Sequence, residues 1–315
     1  MRLHSVRIGK TEIQNNVWLA PLAGYTNAPL RKIALESGAG FCFTEMVSAK
    51  GLCHGSENTK QLLSVLPEET GRVGVQIFGN DPVFMRRAAE SEELAPFAVA
   101  DINMGCPVQK IYKNGEGSAL LENPRLAEKI VAETIKSGKT VTVKCRIGVT
   151  RENIVATEFC KRMEGAGASA IILHGRTRQD MYSGEPDYKT IAAVKRAVNV
   201  PVIANGGIFS VADAEKMLDK TGADGVAIAR AALYDPQIFC DFSGEKRKPF
   251  YELVKRQTEE TETLYGERFA TVFMRKMAAF YLRGARNASA YKARLFECKT
   301  PAEVISLAAE IADRL

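Results

Sequence analysis

Histidine is scarce in this 315-residue sequence, and its cysteines do not pair by spacing. His4, His54 and His174 stand far apart, and Cys42, Cys53, Cys106, Cys145, Cys160, Cys240 and Cys298 are odd in number with no Cys-x-x-Cys among them. That pattern fits neither a zinc site nor a disulfide framework, so no metal is expected. No apolar run approaches the ~18 residues needed to cross a membrane, and Met1-Arg2-Leu3-His4 lacks the apolar core of a signal peptide. A cytoplasmic, monomeric protein without a membrane partner is expected. Low-complexity segments are missing, and so is any repeat longer than a strand-helix rhythm. A Gly-x-Gly-x-x-Gly turn is also absent after the first strand of that rhythm, where Pro21-Leu22-Ala23-Gly24 stands instead. This counts against a doubly wound dinucleotide-binding sheet, the runner-up architecture.

What is present is enough apolar sequence, 46% of residues, to bury a large core. Val6-Arg7-Ile8 and Thr11-Glu12-Ile13 flank Gly9-Lys10 as a hairpin would. Eight short apolar runs follow, at 17–20, 41–43, 73–77, 99–102, 141–143, 170–173, 202–204 and 225–228, separated by helix-like stretches. Asp81-Pro82, Asn123-Pro124 and Ser210 carry helix-start signals. Strand alternating with helix implies parallel pairing, and eight such units imply an α/β fold of the (β/α)8 TIM-barrel type over residues 1–240. Past Pro236 the strands stop. Lys246-Arg247-Lys248-Pro249 reads as a linker into a small all-helical tail, 246–315, punctuated by Gly266, Gly284 and Pro301 into three or four helices. The net charge of +6 is concentrated there, where 14 Lys and Arg face 9 Asp and Glu.

Parallel barrels place their chemistry at the strand C-termini. Those ends read Pro21, Glu45, Gln76, Asn103 with Cys106, Lys144, His174, Asn205 and Arg230. Asn205-Gly206-Gly207 and Ala229-Arg230 follow the last two strands, where glycine amides and an arginine suit a phosphate-bearing cofactor. Lys144 suits an anionic reduced flavin, because its charge lies where negative charge develops. Cys106, on the loop of Asp101-Ile102-Asn103-Met104-Gly105-Cys106-Pro107, is mostly protonated near neutral pH and can act as a general acid or a nucleophile. Taken singly, a strand-end lysine reaching solvent, a satisfied core histidine and an inert cysteine are the commoner readings. A polar ring closing eight apolar strands favours a site.

Several ordered motifs carry a resemblance over essentially the full length. They are Ala20-Pro21-Leu22-Ala23-Gly24, Val75-Gln76-Ile77, the Asp101 to Pro107 stretch, Gly117-Ser118-Ala119-Leu120-Leu121, His174-Gly175-Arg176-Thr177-Arg178, the Val202 to Gly206 run and Ala229-Arg230-Ala231. In these the sequence resembles the tRNA-dihydrouridine synthases, most closely their bacterial B-type branch. The resemblance implies a flavoenzyme that reduces particular uridines in tRNA, with FMN reduced by NADPH. It implies FMN contacts at Pro21, Leu22, Ala23, Gln76, Lys144, His174, Asn205, Gly206, Gly207, Ala229 and Arg230, and makes Cys106 the proton donor. Asn103 and Arg176, with Arg178 beside them, would hold the uridine and its surroundings. Where the family usually has Asn-Gly-Asp and often Gly-Arg, this chain has Asn205-Gly206-Gly207 and Ala229-Arg230, changes that spare backbone donors.

On that reading, 1–240 is the FMN-binding catalytic domain and 246–315 a tRNA-binding domain. The stretch 107–118 is expected to be a polar loop able to close over the site. Between Phe269 and Arg294 no acidic residue occurs, and at helical spacing Arg275, Lys276, Arg283 and Arg286 fall on one arc of a single helix, facing RNA phosphates. Two alternatives stay open: an FMN dehydrogenase of a free pyrimidine or other small molecule, which leaves the basic tail unexplained, and a non-catalytic RNA-binding barrel.

Overall fold

A computed structural model describes residues 2–314. The eight expected barrel strands are all present, as β3 to β10 after a hairpin of β1 (Val6–Ile8) and β2 (Thr11–Ile13). They are β3 (Val17–Leu19), β4 (Phe41–Ser48), β5 (Val73–Phe78), β6 (Val99–Met104), β7 (Thr140–Arg146), β8 (Ala170–His174), β9 (Val202–Asn205) and β10 (Gly225–Ile228). Each pairs in parallel with its neighbour in sequence, and β10 returns to β3 with Val226 opposite Val17, closing the barrel. Among the described residues no helix is long and apolar enough to cross a membrane.

Because side chains alternate along a strand, each strand divides its apolar residues between two cores. Trp18, Phe41, Phe43, Val99, Ala170, Ile172, Ile203 and Ala227 fill the barrel interior, and Val6, Ile8 and Ile13 of the hairpin join the same cluster. Their strand neighbours, such as Val17, Leu19, Ile171 and Leu173, belong to the larger core packed under the helices. The helix starts follow the capping logic. Asp81 accepts from the N–H groups of Val83 and Phe84, Asn123 from that of Leu126 and Ser210 from that of Asp213. With the interior filled below, a cleft opens toward the strand C-termini.

After a short helix, Cys240–Ser243, the irregular stretch 244–249 leads into four tail helices: Phe250–Tyr265, Glu267–Tyr281, Ala288–Glu297 and Pro301–Ala312. They share a core of their own that also takes in Leu30 and Leu233 from the barrel, with Leu22 and Tyr25 packed against it. Lys32 and Glu260 pair across the junction at 3.0 Å, and Arg256 pairs with Glu36. Two expectations change here. The stretch 107–118 is not a plain loop, since it holds a helix, Gln109–Lys113, and the start of a 3-10 turn, Gly117–Glu122. Nor do the four tail cations lie on one helix. The helix stops at Tyr281 and Gly284 adopts φ 84°, so Arg283 and Arg286 sit in the turn beyond it.

A candidate active site at the mouth of the barrel

A cleft of about 430 Å³ opens at the strand C-termini, within the range of sites that bind small molecules. All eleven residues matched to FMN contacts, from Pro21 to Arg230, line it together with Asn103 and Cys106. At one end the Asn205 carboxamide donates to the Ala227 carbonyl at 2.7 Å, tying β9 to β10. The chain then turns through Gly206 and Gly207 at φ 110° and 73°. A Cβ on Gly206 would come within 2.6 Å of the His174 ring, so only glycine permits this turn. Arg230 begins the helix Arg230–Tyr234, with its guanidinium 4.8 Å from the Tyr182 ring and 5.5 Å from that of Phe209. Among the described residues no salt bridge to a carboxylate is seen for Arg230 or Lys144, and both cations line the cleft.

Cys106 sits across the cleft on a loop fixed from both sides. Asn103 Oδ1 accepts from the N–H groups of Gly105 at 3.1 Å and Cys106 at 2.9 Å. Arg146 Nε donates to the Gly105 carbonyl at 2.9 Å, and the Ser118 hydroxyl donates to the Cys106 carbonyl at 2.8 Å. Gly117, at φ 59°, lets the following turn approach, because a Cβ there would lie 2.9 Å from that of Cys106. Behind the loop, Asn103 Nδ2 donates to Gln76 Oε1 at 2.8 Å and Gln76 Nε2 to Asp101 Oδ2 at 2.7 Å.

Burial dominates the electrostatics. It pushes the Cys106 thiol up and the Asp101 carboxyl up to about 6, despite the bonds Asp101 accepts from Gln76 and Thr142. Burial, with Arg146 close by, brings Lys144 down to about 8, and burial brings Arg146 itself to about 10. His174, buried and ringed by Arg146, Lys144, Arg176 and Arg230, titrates well below its usual range and is a neutral imidazole at pH 7. The site therefore offers a protonated thiol, a neutral imidazole and three cations.

The residues matched to RNA contacts fare differently. Arg176 is buried, with its guanidinium on the Ser183 and Gly184 carbonyls and against His174 Nε2 at 3.3 Å; it does not line the cleft. Arg178 lies 3.8 Å over the Tyr112 ring and donates to Gln109, fastening the helix that follows Cys106. Lys276 sits 4.1 Å over Tyr25 and Arg283 4.0 Å over Tyr234, and both rings line the cleft. Arg286 is exposed, whereas Arg275, next along the helix from Lys276, keeps a buried Nε without a partner near Cys298. Sequence reasoning missed Arg146, Tyr182, Met46 and Phe280, which also line the cleft. A signal for Arg146 existed: it lies two residues past Lys144, on the same face if the strand continues.

The family model described as dihydrouridine synthase (Dus) matches residues 18–314. The chain is 37% identical over 290 residues to tRNA-dihydrouridine synthase B of Pasteurella multocida, covering 89% of this chain and 87% of that protein. To the protein of the same name in Pseudomonas aeruginosa it is 36% identical over 300 residues, covering 92% and 90%. Among solved structures, morphinone reductase superposes with a TM-score of 0.55 at 13% identity, over 79% of this chain and 91% of its own. The old yellow enzyme homologue from Zymomonas mobilis gives 0.54 at 13% identity, over 79% and 94%. At such identity these last two likenesses concern the fold, whereas the full-length family match and the closer relatives settle descent: the chain belongs to the dihydrouridine synthase family.

Proposed function

We propose that this protein reduces uridines in tRNA to 5,6-dihydrouridine, with bound FMN, NADPH as reductant and Cys106 as proton donor. The observation that carries the reading is the pairing, in one cleft, of a thiol that burial keeps protonated with the cations Lys144 and Arg230, for which no carboxylate salt bridge is seen among the described residues. FMN fits this donor set. Its phosphate suits Arg230 and the amides of the Gly206-Gly207 turn, and Lys144 and Gln76 are placed for the ring system. Bound FMN supplies hydride to the pyrimidine C6.

The chain's own residues do the rest. Cys106 Sγ–H delivers the proton to C5, and the raised thiol pKa means that the proton is present at neutral pH. Lys144 places positive charge where negative charge gathers on reduction. Asn103 holds the Cys106 loop, and the amide hydrogen it does not give to Gln76 faces the Met46 sulfur 3.8 Å away, a weak acceptor that the uracil would replace. A base must leave the RNA stack to reach so recessed a cleft, and Lys276, Arg283 and Arg286 at the tail side of the mouth are placed to hold the RNA around it. The barrel is then the catalytic domain and the tail the RNA-holding one, in a cytoplasmic monomer. Purified protein given NADPH and unmodified tRNA should produce dihydrouridine by nucleoside mass spectrometry, with little product from free uridine. Equal turnover of free uridine, or none of tRNA, would overturn the reading.

A further inference from the structure

Cys106 is the proton donor of the reaction proposed above, and on that reading its placement decides the rate. What places it is a carboxamide, since the N–H groups of Gly105 and Cys106 both donate to Asn103 Oδ1. A carboxamide has nearly the same shape with its oxygen and NH2 exchanged. Turned over, Asn103 would present NH2 to two N–H groups and release the loop. Gln76 Oε1, which accepts from Asn103 Nδ2, opposes that flip, yet Gln76 is also a carboxamide and could turn over in concert. Two reversible amides in series fix no direction by themselves.

The series ends on a group that has a direction. Asp101 is fully buried and joins three adjacent strands: Gln76 of β5 and Thr142 of β7 are both its register partners. One carboxylate oxygen accepts from Gln76 Nε2 and the other from the Thr142 hydroxyl, each at 2.7 Å. An ionised carboxylate only accepts, so Gln76 must turn its NH2 toward Asp101 and its oxygen toward Asn103. We propose that Asp101 is a positioning residue for Cys106, setting through Gln76 and Asn103 the direction of the hydrogen bonds that hold the thiol-bearing loop. Burying a carboxylate costs free energy, and asparagine would fill the same volume with the same two contacts. What asparagine lacks is the inability to donate. Burial raises the Asp101 carboxyl only to about 6, which leaves it ionised near neutral pH, and Lys144 is the nearby charge that favours that state.

The test moves the charge from one end of the relay to the other. In Asn103→Asp the loop amides keep an acceptor, but Gln76 then lies between two carboxylates, and one of its ends faces an acceptor without a proton. Adding Asp101→Asn removes that conflict, since Gln76 can turn over and every group regains a partner. Two rates are read on flavin-loaded protein: single-turnover dihydrouridine formation, and iodoacetamide alkylation of Cys106 followed on its peptide. The alkylation rate reports the thiol's placement whether or not the chain acts on tRNA, so failure of the relay and failure of the proposed reaction are distinguishable. Asn103→Asp alone should change both rates about tenfold or more, and Asp101→Asn alone by about three- to tenfold. The double variant should return the alkylation rate to within about threefold of the parent, whereas its dihydrouridine rate should stay low, because Asn103→Asp removes the amide that faces the substrate. An effect on alkylation in the double equal to the product of the singles would overturn the proposal, because independent sites do not compensate. Should Asn103→Asp fail to fold, a folded double variant supports the relay and an unfolded one overturns it.

Discussion

Cys106 and Lys144 show burial acting in opposite senses on two groups in the same cleft: it keeps a proton on the sulfur and loosens one on the nitrogen. For the sulfur, Cys106→Ala should still bind tRNA and still be reduced by NADPH, yet form dihydrouridine roughly 10²- to 10⁴-fold more slowly. Rapid-quench analysis of the product would show it, and near-normal rates would assign the proton to another group. For the nitrogen, the Lys144 pKa of about 8 in the flavin-free protein means that the ammonium is present below that pH and lost above it. FMN affinity should therefore weaken as pH rises through about 8, and Lys144→Met should bind more weakly with that pH dependence removed, both measured by fluorescence titration. An unchanged profile in the variant would detach Lys144 from the cofactor. The sequence shows the ring of cleft residues because a parallel barrel collects its strand ends at one face, whatever their spacing along the chain. It hides Arg146, because the apolar run that marks β7 stops at Val143 while the strand continues to Arg146. It also gives no sign that the Arg176 guanidinium is engaged by the carbonyls of residues 183 and 184.

At the scale of elements, the strands and the caps Asp81, Asn123 and Ser210 are legible because each depends on a few adjacent residues. The basic arc fails for the complementary reason. Periodicity carries a helix past Tyr281, but Gly284 in a left-handed conformation follows its end, and Arg283 stacks on Tyr234 from a turn. The stretch after Pro107 reads as a loop from its glycines and polar residues, whereas Arg178 of the segment after β8 holds it as the helix Gln109–Lys113, through the Tyr112 ring and Gln109. An exposed cation–π contact of this kind contributes about 0.5–1 kcal/mol. Arg178→Ala should accordingly leave the fold intact while amide exchange across 108–116 quickens about two- to fivefold, as hydrogen-exchange mass spectrometry would read. Exchange at the parent rate would mean that the helix stands without this clasp.

Taken whole, the molecule surrounds its cleft with a rim built from two sources. The barrel supplies the cleft, and the tail, seated on Leu30 and Leu233, supplies Lys276 and Arg283 against the aromatic edge. The sequence reveals the excess of charge in the tail but not where it lies, because that depends on how two cores meet. A recessed cleft selects a substrate held by contacts away from the reacting base, so affinity should reside largely in phosphate contacts and fall as salt rises. Reversing Arg283 and Arg286 to Glu removes two such exposed cations, and each lost phosphate contact should flatten the slope of log affinity against log salt by roughly 0.7 to 0.9. The double variant should bind tRNA more weakly at low salt and converge toward the parent at high salt, with flavin absorbance reporting an intact cleft. Arg275, half-buried with its Nε shielded from solvent, is the internal control: Arg275→Gln should leave the slope as it is. Equal slopes for parent and double variant would free the tail of this role, and the search for the RNA surface would move to the barrel side of the mouth, to the exposed Lys50, Lys110 and Lys113.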